Sequence, residues 1–261
     1  NCIKNYLETK DEKYVQPLRD ITQTNLDIFD KSTDSKNLIE QLAQFRKNLP
    51  FIKDNEALLK VGKVNNTPTL EKYINTLMNL FRKSIDDEDL DDNIIKTFIT
   101  LTKKKPESCN LLVKAGCPRL LLQVMENTQN NKLANNALEL LKIITLSSEE
   151  NLIMVGNQNI LSKLFEIRAK FANDENITKG CDFIANEIMK LPGQEAQIAE
   201  VVKDAIAEFH ENMKEDFKNV EVKQKILGNL ETINAFTRTK QIIAASLMTD
   251  EFRDDLNKAI D

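Results

Sequence analysis

A helical unit recurring at roughly forty residues constrains this chain more than any other feature. Asn110-Leu111-Leu112-Val113 returns 41 positions later as Asn151-Leu152-Ile153-Met154. At the same offset Leu120 falls on Leu161 and Val124 on Phe165. A period of this size marks stacked supersecondary units, none of which can bury its apolar face alone. Apolar residues make up 41% of the chain, enough for a core, while only six Gly and six Pro punctuate 261 residues. A β-sandwich or barrel needs many more turn residues, so the expected class is all-α.

The clearest unit spans about residues 107–146. Residues 107–115 form a short first helix ended by Ala115-Gly116, where glycine suits a left-handed terminus. Pro118 then falls in the first turn of a second helix, where its missing N–H costs little. The run Leu120-Leu121-Leu122-Gln123-Val124-Met125 is nearly all apolar and has to be buried. After a polar loop from Asn127 to Asn131, a third helix places Leu133, Ala137, Leu141 and Ile144 on one stripe. That stripe reappears as Leu90, Ile94, Phe98 and Leu101 before it, at an offset of 43. After it come Ile177, Cys181, Ala185 and Ile188 at 44, then Val222, Ile226, Leu230 and Ile233 at a further 45.

Leu38, Leu42, Phe45 and Leu49 give an earlier third helix, leading into a looser unit with Leu58-Leu59, Gly62, Tyr73, Leu77, Leu80 and Phe81. A single long helix is expected across Glu195 to Lys218. Gln241-Ile242-Ile243, Phe252, Leu256 and Ile260 open a unit that the chain does not finish, so the sequence is expected to be a fragment. The organisation predicted is an N-terminal helical segment, 1–34, followed by a repeat array, 35–261. Its units lie at about 52–104, 105–147, 148–191 and 194–237, with an incomplete one at 238–261.

The segment Asn110-Leu111-Leu112-Val113-Lys114-Ala115-Gly116-Cys117-Pro118-Arg119-Leu120-Leu121-Leu122 resembles the armadillo repeat. That family's pattern is N-x-x-x-L-V-x-A-G-x-x-x-x-L-V-x-L-L, followed by a third helix with an A-L-x-x-L core. Residues 149–190 resemble it less closely and the flanking units by period alone. The two-helix HEAT repeat is the runner-up. The resemblance implies a right-handed superhelical α-solenoid of about five three-helix units, some irregular. It also implies that the third helices line a concave groove for an extended peptide or partner helix. In the nuclear-import branch of the family that groove carries a ladder of Trp and Asn. The matching places here hold Lys96 and Thr100, Glu139 and Ile143, Phe183 and Glu187, and Gly228 and Thr232, so the ladder is missing. The candidate groove is therefore Lys96, Thr100, Asn135, Glu139, Ile143, Lys179, Phe183, Glu187, Gly228 and Thr232.

Other function classes find little footing. Net charge is −5, with a mildly basic middle and an acidic end, and no Lys/Arg stripe interleaved with aromatics suggests nucleic acid. No apolar run approaches the roughly 18 residues of a membrane span. Cys2, Cys109, Cys117 and Cys181 lack metal-ligand spacing. Cys117 and Cys181 fall at apolar helix positions, where a reduced thiol packs as a small hydrophobe. The matches Asn65-Asn66-Thr67 and Asn176-Ile177-Thr178 to the glycosylation pattern are read as chance. The run Asp86, Asp87, Glu88, Asp89, Asp91 and Asp92 lacks the turn glycine of a calcium loop and is read as acidic residues opening a helix. Lys103-Lys104-Lys105-Pro106 is read as closing that helix.

His210, the single histidine, sits among Glu208, Phe209 and Glu211 with no nucleophile motif, and is read as a surface residue. The glycines form no phosphate-binding loop. The expected function is a non-catalytic, cofactor-free scaffold or adaptor for a protein partner, cytoplasmic or cytoskeletal, with a nuclear site the other option. The alternatives are a structural segment of a large cytoskeletal or axonemal assembly, and a regulatory region of a larger enzyme, motor or formin-like protein.

Overall fold

A computed structural model describes residues 24–53, 70–85, 87–103, 106–214 and 220–239, with isolated positions 249–250, 253–254 and 257. Cys2, Leu58, Leu59, Gly62, the Asn65 sequon, Asp86, Lys104, Lys105, Lys218 and the apolar residues from Gln241 to Ile243 lie outside them. So do Phe252, Leu256 and Ile260, and the side chain of Leu49. Every element among the described residues is helical and none is a strand. The chain divides into two compact units, Asn1–Asn151 and Leu152–Asp261.

In the first unit a helix over residues 24–31 (α1) is followed by α2 (Ser35–Lys53), α3 (Leu70–Ser84) and α4 (Glu88–Thr102). Then come α5 (Pro106–Lys114), α6 (Cys117–Asn127) and α7 (Asn131–Leu146), and the division falls inside α8 (Glu149–Gly156). Helix α4 packs between α2 and α7, while α7 also rests on α5 and α6. The second unit contains α9 (Leu161–Lys170), α10 (Glu175–Met189), α11 (Glu195–Asn212) and α12 (Val220–Thr239). There α9 packs on α10, and α11 pairs along its length with α12.

The recurrence seen in the sequence has a local physical cause. Asp87, Asn130 and Asp174, spaced 43 and 44 apart like the apolar stripes, are the N-caps of α4, α7 and α10. Each side chain accepts backbone N–H bonds from the first turn: Leu90 N at 3.1 Å, Lys132 N at 3.1 Å and Asn176 N at 3.1 Å. These bonds satisfy donors that a helix start otherwise leaves unpaired. Just inside each cap the stripe turns inward. Leu90, Ile94, Phe98 and Leu101 are buried, as are Leu133, Ala137, Leu141 and Ile144, and Ile177, Cys181, Ala185 and Ile188. On α12 Val222, Ile226 and Ile233 are buried and Leu230 is half-buried.

The α5–α6 corner follows the same logic. Gly116 adopts φ 83°, a left-handed conformation costly for other residues, and Pro118 enters the first turn of α6. The repeated asparagines that mark the period touch each other: Asn110 Nδ2 donates to Asn151 Oδ1 at 3.3 Å. Asn151 is buried, and its own amide donates to Ser147 Oγ at 2.7 Å, so the polar group is satisfied inside the packing.

One expectation is adjusted. The long helix expected to Lys218 ends at Asn212, where the Met213 N–H turns back to the Phe209 carbonyl. The acidic run opens α4 as expected, with Asp87 as its N-cap and Glu88, Asp89 and Asp91 in its first turn. Asp91 lies on the inward side beside Leu90, is 1% exposed, and accepts a hydrogen bond from Ser84 Oγ at 2.6 Å.

Candidate interaction face

In the first unit the outward side of α4 and α7 forms one polar surface, joined by side chains. Asn136 Nδ2 donates to Asp92 Oδ1 at 2.6 Å, and Lys103 Nζ meets Glu139 Oε1 at 3.0 Å. Asp92 also holds Lys96 one turn along α4. On the other flank of α4, the Arg46 fork from α2 donates to Asn93 O at 2.7 Å, Asn93 Oδ1 at 2.8 Å and Thr97 Oγ1 at 3.1 Å. Burial lowers the Arg46 pKa, with the Asp92 carboxylate opposing that shift. A guanidinium holding three fixed acceptors ties α2 to α4 more firmly than a lysine could.

Five of the ten candidate residues come together on this surface. Lys96 and Thr100 are half-buried on α4; Asn135 and Ile143 are half-buried and Glu139 exposed on α7. Thr100 Oγ1 donates to the Lys96 carbonyl at 2.8 Å, and Asn135 Nδ2 to the Asn131 carbonyl at 2.9 Å. The Lys103–Glu139 pair has both side chains about half exposed, at 60% and 47%. A pair so wet contributes little to stability.

The other five belong to the second unit. On α10, Lys179 pairs with Glu175 at 2.5 Å, Glu187 with Lys190 at 2.6 Å, and the Phe183 ring lies 42% exposed between them. On α12, Gly228 borders open space and Thr232 Oγ1 donates to its carbonyl at 2.8 Å. Arg168 of α9 links the two helices, with Nε on Asp182 Oδ1 at 2.7 Å and Nη2 on Glu231 Oε2 at 2.8 Å. Burial works against its charge, but the Glu231 and Asp182 carboxylates outweigh it and raise the pKa.

Sequence reasoning missed these connecting groups. Asn93 and Asn136 recur at the third-helix offset and were visible as a repeated position. Arg46 and Arg168 carry no such signal, because an arginine that bonds across helices looks like any surface arginine.

The three described cysteines are placed within the packing. Cys109, Cys117 and Cys181 are buried and unpaired as disulfides. Burial pushes all three thiols up, Cys181 to about 12, where Asp182 adds to the rise and Arg168 opposes it. A nucleophilic cysteine needs the opposite shift. Because the folded pKa of Cys181 stands above its ordinary 9.0, its stabilising contribution is complete below about pH 9 and is lost as pH rises toward 12. In a Cys2→Ser background the remaining thiols should resist alkylation until the chain unfolds. Rapid modification of the folded protein at pH 8 would contradict the burial.

His210 is half-buried on α11, its ring 6.0 Å from that of Phe209. Among the described residues no group of three or more His, Cys, Asp or Glu is placed to hold a metal ion, and no helix is long and apolar enough to cross a membrane.

No family model matches the chain, and no curated protein matches it. Its fold is similar to that of an engineered protein whose crystal structure was determined by the Northeast Structural Genomics Consortium. The TM-score is 0.52 at 15% identity, covering 92% of this chain and 95% of the other. At that identity the likeness concerns the fold alone.

Proposed function

We propose that this chain is a non-catalytic, armadillo-like interaction module that binds a protein segment across the outward faces of its third helices. The observation that carries the reading is the continuous α4–α7 surface, where Asn136 of α7 bonds Asp92 of α4 and Glu139 of α7 meets Lys103 at the end of α4. Support for the repeat class comes from the armadillo-like residues at 107–146, the left-handed Gly116 and the N-caps recurring at 43 and 44 residues. A segment crossing this surface meets Lys96 and Thr100, then Asn135, Glu139 and Ile143. It exchanges an exposed ion pair for its own polar groups and covers the edge of Ile143. The second unit offers Phe183 as an aromatic anchor on α10, of the kind that dominates binding energy at interfaces.

Photo-crosslinking side chains introduced singly at Glu139 and Ile143 test the reading, with Arg119 and Gln123 on the exposed side of α6 as comparison sites. Discrete crosslinked partners are expected from the α7 positions and not from α6. Equal or stronger crosslinking from α6 would place the binding surface elsewhere.

A further inference from the structure

We draw no further inference here: the strongest candidate, the exposed apolar side chain of Leu227 on α12, carries nothing because no feature of the structure shows what covers it.

Discussion

Replacing Phe98 with alanine should cost the first unit about 3–5 kcal/mol. The ring is fully buried in the C-terminal half of α4 and meets Phe81 of α3 edge-on, with centroids 6.2 Å apart. Helix α4 packs on α2, α3, α5 and α7, so the lost ring faces several rigid neighbours and the space can only partly collapse. The aromatic pair adds about 0.5–1.5 kcal/mol beyond area burial. Against a typical domain stability of about 5–15 kcal/mol, the loss is a large share of the total. Urea unfolding followed by far-ultraviolet circular dichroism should show a clearly lower midpoint, with Phe98→Leu retaining most of it. A midpoint unchanged in Phe98→Ala would mean that α4 is not the centre of this packing.

The second large effect is on binding. Under the proposed reading, Glu139→Arg with Ile143→Asp on α7 should reduce capture of a bound protein segment about 10- to 100-fold, and Phe183→Ala on α10 should have an effect of the same order. Ile143→Asp places a charge where the bound segment would exclude water, and such a charge left unpaired is costly. Glu139→Arg sets two cations together with Lys103 in place of an ion pair. All three positions lie outside the buried core, so helix content and melting temperature should change little. Arg119→Glu on α6 serves as a charge-reversal control. Partner recovery from the α7 variant equal to wild type, with folding intact, would rule that face out.

The all-helical class was legible because periodicity survives in a single sequence. Stripes such as Leu133, Ala137, Leu141 and Ile144 follow the helical repeat, and burial requires that pattern wherever one face is covered. The corner at Gly116 and Pro118 was equally readable, since backbone conformation restricts which residues fit there. Less was visible where an outcome depends on partners distant in sequence. Asp91 is one of several acidic residues opening α4, and nothing in the sequence marks it as the buried one bonded to Ser84. Arg46 and Arg168 acquire their roles only when α4, and α10 with α12, arrive beside them. Phe183 sits one residue of register from burial, so only the set of the helix decides that its ring faces outward. The end of α11 at Asn212 was also hidden, because the sequence from Met213 to Lys218 contains neither Gly nor Pro to mark a stop.

Amide hydrogen exchange of the chain, free and bound to the segment recovered by crosslinking, tests the binding surface most directly. Slower exchange on binding should appear along α4, α7 and α10, while α5 and α6 stay unchanged. Protection confined to α3, α5 and α6, with α4, α7 and α10 exchanging as in the free chain, would contradict recognition by the third helices.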